Sequence, residues 1–247
     1  MRSERGTFRP VRRSNSNSRR VVTIIETRHG AQERRRSQSK SRIDRNVWDT
    51  VRLERLESLC VDDAVQSRLF ELLDAHAPSD ADEARSLAEM RALLPQLEQP
   101  LSRHQARAHF TASALVVDLE AGRIAMLLHA KLKKWLQPGG HAESIDAGLM
   151  HRTALREAKE ETGCDVRLFE PTPTLLDVDV HWIPARADEP AHQHLDLRYL
   201  VVAENPQNLT LNVDEANAVQ WLSFDAALSL AEDAALRRMI RKGWDAL

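Results

Sequence analysis

The sequence predicts an α/β protein in which strands precede and follow one central helix along the chain. Two short apolar runs, 110–117 and 123–129, flank Glu120-Ala121-Gly122, a pattern typical of two strands and a turn. Apolar residues then recur at four-residue spacing from Ala147 towards Gly163, as on one face of a helix. Further strand-like runs follow before a helical pattern at 224–243. This alternation of strands and helices favours the α/β class.

Length and composition indicate a soluble globular protein. The chain has 247 residues, of which 42% are hydrophobic and 29% charged. No apolar run approaches the length of a membrane span, and the arginine-rich start lacks the apolar stretch of a secretory signal. The two cysteines, Cys60 and Cys164, make no disulfide framework. We therefore expect a cytoplasmic protein without a membrane partner.

Charge divides the chain into two physically different parts. Residues 1–45 hold 14 Lys/Arg against four acidic residues, a charge of +10, and the remainder holds 21 basic and 33 acidic residues, a charge of −12. Because this first part has few large apolar residues, it cannot bury enough surface to offset its ordering entropy, and we predict a disordered basic tail. Its functional interpretation is an arm for nucleic acid, and the interpretation that we favour is a solvated tail.

Residues 46–104 are predicted to form a helical extension. Leucines recur there mostly at three- and four-residue spacing, and a break allows Ser79 or Asp80 to cap a second helix. Pro95 lies near the end of this pattern. We expect the helical pair to pack on the domain at 105–247 as a lid, as the surface of a homodimer or as a structural brace.

The domain at 105–247 carries further local signals. Trp135 to His141 forms a glycine loop, Asp146 can cap the helix that starts at Ala147, and Gly163 occupies the position after the last helical turn. Additional strands are predicted at 166–169, 175–182, 195–202 and 218–222.

The central helix carries an arginine and three carboxylates close together. Glu157 and Glu161 lie one turn apart on the same face, with Glu160 beside them. Arg156 is four residues before Glu160 and can hold it in place. Like charges on one helix face repel each other, whereas a hard divalent cation with oxygen ligands explains them. A solvated Glu-rich face is the alternative, but it requires neither Arg156 nor Gly163 at these spacings.

These residues resemble the Nudix box, whose pattern is G-x5-E-x7-R-E-U-x-E-E-x-G-U with U apolar. The run Arg156-Glu157-Ala158-Lys159-Glu160-Glu161-Thr162-Gly163-Cys164 fits its second half, and Gly139-Gly140 resembles the loop that opens it. The first half departs in spacing, and two extra residues between Asp146 and Arg156 reconcile it. Asp146 or Glu143 then stands in for the first Glu, which in the family mostly supports the box Arg.

The resemblance covers roughly residues 105–245 and implies an α/β/α sandwich with a mixed sheet between helices. It also implies bound Mg²⁺, with Mn²⁺ as an alternative, and assigns Glu157 and Glu161 as the main metal ligands. Glu160 is a further ligand or orients the attacking water, and the carbonyl of Gly140 is an additional ligand. The carboxylates would orient the water and accept its proton.

A downstream acidic residue is expected from the same resemblance, as a metal ligand or as the base. Glu215, shortly before Trp221, is the candidate, and Asp214 is the second choice. An ordinary exposed acid in a loop is an equally good interpretation.

Four polar residues alternate along one predicted strand and therefore point to one face: His192, His194, Asp196 and Arg198. We interpret them as a hydrogen-bonded polar face, with substrate contact as the alternative. As a zinc site they are weak, because two histidines lack a closing set of ligands. Trp135 and Trp182 pack or stack on a base. Cys164 is expected in the core.

By the resemblance, the protein hydrolyses a nucleoside diphosphate linked to another moiety, with water attacking a phosphorus of the diphosphate. The first alternative is a non-catalytic nucleotide-sensing module whose basic arm binds nucleic acid. The second is an isomerase on the same fold, which would need a cysteine in the pocket. Neither Cys60 nor Cys164 is well placed for that role. Nucleic acid is not expected as a partner outside the basic tail.

Overall fold

A mixed sheet of eight strands forms the centre of the described structure. The computed structural model describes residues 63–186, 189–214 and 216–247. The predicted tail at 1–45, the first part of the helical extension with Cys60, and Glu215 lie outside these ranges. The strands are β1 Ala108–Asp118, β2 Arg123–His129, β3 Trp135–Leu136, β4 Gly139–His141, β5 Val166–Leu168, β6 Asp177–Ile183, β7 His192–Ala203 and β8 Ala216–Ser223. Their order in the sheet is β3-β2-β1-β7-β5, with β4 paired to β1, β6 to β7 and β8 to β2.

Strands β1 and β7 form the parallel pair at the middle of the sheet. Their register runs from Ala108 opposite Gln193 to Val117 opposite Val202. All residues of β1 are buried, since both faces of the strand are covered. Every other pairing in the sheet is antiparallel. Both strands match their predicted positions and extend beyond them by a few residues.

Helices cover both faces of the sheet, which confirms the predicted α/β/α sandwich. They are α1 at 63–75, α2 Ala81–Leu93, α3 Met150–Thr162, α4 Phe224–Leu230 and α5 Ala234–Asp245. Alternate residues of β1 supply the two cores. Phe110 and Val116 join the core that contains Ala154 of α3, and Leu115 joins the core that contains Met239 of α5.

The described part of the helical extension packs on the same core as the sheet. Leu69 and Leu73 of α1 and Met90 of α2 are buried in the cluster that also contains Phe110. Asp80 caps α2, because its side chain accepts a hydrogen bond from the backbone N–H of Glu83. The expected helical pair on the sheet is therefore present. Within the described residues, no helix is both long enough and apolar enough to cross a bilayer.

The segment before α3 differs from the sequence prediction. Asp146 does not cap a helix that starts at Ala147, because α3 begins at Met150. Asp146 instead ends a short 3₁₀ turn, Ser144–Asp146, in which its side chain accepts from the N–H of Glu143. Ala147 and Gly148 follow with φ of +52° and +69°, values that interrupt a right-handed helix.

Two smaller outcomes concern the ends of this region. The predicted glycine loop contains the two short strands β3 and β4. Gly163 ends α3 with φ of +71°, and its N–H bonds to the carbonyl of Lys159. The predicted C-terminal glycine of the helix is confirmed.

Candidate active site

Helix α3 presents Glu157 and Glu161 to the glycine strand β4. The backbone N–H of Gly139 donates to Oε2 of Glu161 at 2.8 Å. A Cβ atom at Gly140 would lie 2.5 Å from Oε1 of Glu157, so only glycine permits this close approach. Both carboxylates are mostly shielded from solvent, with exposures of 9% for Glu161 and 12% for the side chain of Glu157. The backbone of the loop therefore places the two carboxylates next to each other.

Arg156 links the carboxylates of this region. Its guanidinium donates to Asp146, to Glu157 at 3.0 Å and to Glu160 at 3.0 Å. It also donates to the backbone carbonyl of His141 at 2.7 Å. Burial alone would lower the pKa of Arg156, but Asp146 and Glu157 raise it above its ordinary value. Arg156 is therefore a permanent cation that fixes the strand β4 to the helix.

The contact between Asp146 and Arg156 agrees with the proposed replacement of the first box Glu. Both nitrogens Nε and Nη2 of Arg156 donate to the carboxylate, at 3.2 and 3.0 Å. Burial would raise the pKa of Asp146, and the hydrogen bonds from Arg156 and from the N–H of Glu143 lower it below the usual value. The left-handed residues Ala147 and Gly148 come directly after Asp146, between it and the start of α3.

We call the following five residues the box cluster: Asp146, Arg156, Glu157, Glu160 and Glu161. Four carboxylates against one guanidinium give these groups a formal charge of −3. Exposure varies within the cluster, from 2% for Asp146 to 53% for the side chain of Glu160. The cluster thus offers oxygen donors and excess negative charge at the surface, the donor set that Mg²⁺ prefers.

The described structure includes only one of the two candidate acidic residues in the downstream loop, Asp214. Asp214 is exposed, and its backbone N–H donates to the side chain of Asn212. Glu215 lies outside the described residues. The role of this loop therefore stays a prediction.

The polar face of β7 divides into two groups. Asp196 and Arg198 are buried, and Nε of Arg198 donates to Asp196 at 2.8 Å. Arg198 also donates to Asp177 and Asp179 of β6, each at 3.1 Å. Hydroxyl groups of Thr111 and Ser113 on β1 donate to Asp196. This burial agrees with the interpretation of a hydrogen-bonded polar face.

The ion pairs continue from β6 into both helical layers. Arg238 of α5 donates to both oxygens of Asp177. Lys242 donates to Glu83 of α2, which is fully buried. We call the whole set the interior network: Glu83, Asp177, Asp179, Asp196, Arg198, Arg238 and Lys242. Burial raises the pKa of Asp177 although both arginines act in the opposite direction. Sequence reasoning missed Asp177 and Asp179, because only the pairing of β6 with β7 brings them to Arg198.

The other half of the polar face belongs to a group of neighbouring imidazoles. In the parallel register, His109 of β1 lies opposite His194 of β7. Ring centroids of His109 lie 4.8 Å from His194 and 5.0 Å from His192 and His141. We call these four residues the histidine cluster. His109 was missed because one histidine before an apolar strand carries no signal by itself.

Burial lowers the pKa of three imidazoles in the histidine cluster. Burial, together with His141 and His192, lowers the pKa of His109 to about 4. Burial and the charge of Arg103 lower the pKa of His141 to about 4. Burial and His181 lower the pKa of His194 to about 2. At neutral pH the imidazoles of His109, His141 and His194 are therefore uncharged.

Three further residues singled out from the sequence, Trp135, Trp182 and Cys164, take no part in the contacts described above for the box cluster. Trp135 packs against the core that contains Leu115, whereas Trp182 is 66% exposed. Cys164 is fully buried, and burial raises the pKa of its thiol. Cys164 is a core residue, as expected.

Residues 108–243 match the family model of the NUDIX domain. A probable DHNTP pyrophosphohydrolase of Lactococcus lactis subsp. cremoris is 35% identical over 99 residues, which are 39% of this chain and 55% of the relative. The chain thus spans about half the length of that curated relative.

Solved structures with a similar arrangement include two hydrolases. A NUDIX family hydrolase from Clostridium perfringens is 26% identical with a TM-score of 0.42, over 59% of this chain and 97% of that chain. The E. coli dihydroneopterin triphosphate pyrophosphohydrolase is 16% identical with a TM-score of 0.44, over 56% of this chain and 96% of that chain. The family model covers more than half of the chain and includes the box cluster, and the protein therefore belongs to the NUDIX family.

Proposed function

We propose that this protein hydrolyses a phosphoanhydride bond in a nucleoside diphosphate linked to another moiety. Water would attack a phosphorus of the diphosphate, with Mg²⁺ or Mn²⁺ as the cofactor. The observation that carries the proposal is the box cluster, in which Glu157 and Glu161 lie against a glycine backbone with a formal charge of −3 for the set. Local stability does not explain this excess of negative charge, and a divalent cation does.

The oxygen donors of the box cluster fit a hard cation. Glu157 and Glu161 would be the main ligands, with Glu160 and the carbonyl of Gly140 as further donors. When bound, the divalent cation neutralises charge on phosphate oxygens and lowers the pKa of a water. The N–H of Gly139 holds Glu161, and Arg156 holds Glu157, so both carboxylates are oriented before the substrate arrives.

The proton of the attacking water needs an acceptor near the surface. Glu160 is half exposed and held by Arg156, which suits a residue that orients water at the rim of the site. Glu215 is the second candidate, on the resemblance alone. Arg156 would act by positioning these carboxylates, and its contact with Asp146 sets its own place.

The substrate class is open within the family. The curated relative is a probable DHNTP pyrophosphohydrolase, so a pterin triphosphate belongs in the test beside nucleotide sugars, dinucleotides and ADP-ribose. An isomerase that uses a pocket cysteine is disfavoured among the described residues, because Cys164 is fully buried.

The test is hydrolysis of this panel with Mg²⁺ by the wild type and by Glu161→Gln. We expect turnover of one class, and a loss of about 100-fold or more in the variant, because removal of a metal ligand costs several kcal/mol of transition-state stabilisation. Glu204→Gln is the matched control, since Glu204 is exposed and pairs only loosely with Arg167 at 3.8 Å. Equal turnover by Glu161→Gln and the wild type would overturn the assignment of the site. No turnover together with tight binding of one compound would favour the nucleotide-sensing module.

A further inference from the structure

The histidine cluster brings three potential ligand atoms together at the start of the parallel strand pair. One ring nitrogen from each of His109, His192 and His194 lies within 4.8 Å of the other two. The residues come from β1 and β7, and the register of the two strands fixes their spacing. His141, from β4, is in ring contact with both His109 and His194, with centroids 5.0 Å away.

Several nitrogens in this cluster are buried without a hydrogen bond of standard geometry to the described residues, although a backbone contact with Gln105 acts to raise the pKa of His109. His109 is fully buried, and neither of its ring nitrogens makes a hydrogen bond of standard geometry to any described residue. Nε2 of His192 is likewise buried without such a partner in the described ranges. A neutral imidazole has one donor and one acceptor nitrogen, and leaving them unsatisfied in the interior costs free energy. The arrangement is therefore explained better by a ligand than by packing.

The backbone contact of His192 leaves its Nε2 available as a ligand atom. Its Nδ1 lies 2.9 Å from the carbonyl of Pro190. A carbonyl can only accept, so Nδ1 must carry the proton in the neutral ring, and Nε2 keeps the lone pair. Histidines that bind metals commonly hold their second nitrogen in this way. Nε2 is also the atom without a partner among the described residues.

The ligand chemistry selects a class of ion. Imidazole nitrogen suits zinc and its neighbours in the transition series, whereas Mg²⁺ takes oxygen. A tetrahedral ion with bonds of about 2.0–2.1 Å places its donors about 3.4 Å apart, so nitrogens that lie within 4.8 Å of one another need to close by up to about 1.4 Å. Oε1 of Glu189 lies 3.9 Å from Nε2 of His192, so its negative charge would offset part of the positive charge of the ion. The positive charge of Arg103, which acts on His109, would have the opposite effect.

We propose that His109, His192 and His194 bind one zinc-class transition-metal ion, with His141 as the fourth ligand, at a site separate from the box cluster. The ion would tie β1, β7 and β4 together. Since the carbonyl of His141 accepts from Arg156, the same ion would brace the strand that positions Glu157 and Glu161.

Zinc binding is measured on the full chain without an affinity tag after removal of metals by a chelator. Glu157→Gln/Glu161→Gln serves as the parent, because the box carboxylates would otherwise bind Zn²⁺ too. Calorimetric titration of this parent should show one equivalent of Zn²⁺. Co²⁺ in its place should give the visible bands of a four-coordinate nitrogen site. The readout does not depend on hydrolysis, so its failure is distinct from failure of the proposed function.

Two substitutions in the parent test the ligands. His192→Asn and His194→Asn should each weaken Zn²⁺ binding by more than about 100-fold, since loss of a ligand costs more than loss of a residue that only orients a ligand. His104→Asn is the control, because His104 is an exposed histidine five residues before His109. Zn²⁺, and not Mg²⁺, should raise the thermal unfolding midpoint of the parent but not of either ligand variant.

The proposal fails if the parent binds no equivalent of Zn²⁺, whatever the variants do. It also fails if His192→Asn and His194→Asn bind Zn²⁺ as tightly as the parent. Circular dichroism of each metal-free protein shows whether a variant folds. If a variant does not fold, the Zn²⁺ titration of the parent alone tests the proposal.

Discussion

The box cluster and the interior network are built from the same residue types and have opposite characters. The interior network opposes four carboxylates to three cations, and most of its side chains are almost fully buried. The box cluster places four carboxylates beside one guanidinium, that of Arg156, and Glu160 reaches solvent. Nearly balanced charge in the interior connects layers of the fold, whereas an excess of carboxylates near the surface offers oxygen donors to a cation.

This contrast separates stability from function. Removing a cation from the interior network leaves buried carboxylates uncompensated, whereas removing the half-exposed Glu160 from the box cluster leaves fewer like charges beside each other. Substitutions in the two regions should therefore affect different measurements.

The largest effect is expected from Arg198→Met. The variant leaves Asp177, Asp179 and Asp196 without their shared guanidinium, so the free energy of unfolding should fall by about 3–5 kcal/mol in urea titrations. Arg167→Met, at an exposed site on β5, should stay within about 0.5 kcal/mol of the wild type. An unchanged urea midpoint for Arg198→Met would show that the interior network is not structural.

A smaller effect is expected from Asp146→Asn in the box cluster. The amide keeps the shape of Asp146 but loses the charge that orients Arg156, so kcat/KM should fall by about 10–100-fold. The affinity for Mn²⁺ should weaken in parallel, which a binding titration measures without a substrate. Asp165→Asn is the matched control, because Asp165 is an exposed partner of Lys159. Equal losses in the two variants would contradict the special role of Asp146.

The smallest effect is expected from pH, which separates both carboxylate regions from the histidine cluster. The pKa of Asp179 is lowered to about 2 and that of Asp146 is also lowered, so their contributions to stability are present above about pH 4 and lost only below it. Burial lowers the pKa of His109 from 6.5 to about 4, so the unfolded chain takes up its proton first. Stability should therefore fall as pH drops from 6.5 towards 4.

Linkage gives a loss of about 0.7 kcal/mol from His109 between pH 7 and pH 6. Urea midpoints measured at pH 7, 6 and 5 test this in the metal-free protein. His109→Phe should remove about 0.7 kcal/mol of this dependence, whereas His141 and His194, whose pKa values are also lowered by burial, keep their share of it. His104→Asn should leave the dependence unchanged. The same slope in His109→Phe and in the wild type would show that His109 does not contribute to it.

Local patterns predicted much of the fold. The bounds of β2 agree with the apolar run at 123–129, and Gly163 ends α3 as its position indicates. The predicted start of α3 at Ala147 was wrong, because the side chain of Asp146 forms hydrogen bonds with Glu143, Thr153 and Arg156 instead of capping the helix. A cap and a tertiary partner are chemically alike in a sequence, and only the surrounding structure distinguishes them.

Local patterns were enough to predict the α/β class and the spacing of Glu157 and Glu161, since helix and strand periods act over a few residues. The pairs of polar residues that meet across the sheet depend instead on the way distant strands come together. His109 and His194 are 85 residues apart in numbering and become neighbours only through the parallel register. Arg198 finds Asp177 in the same way, across β6 and β7. Contacts between distant strands depend on register and topology, which no local pattern contains.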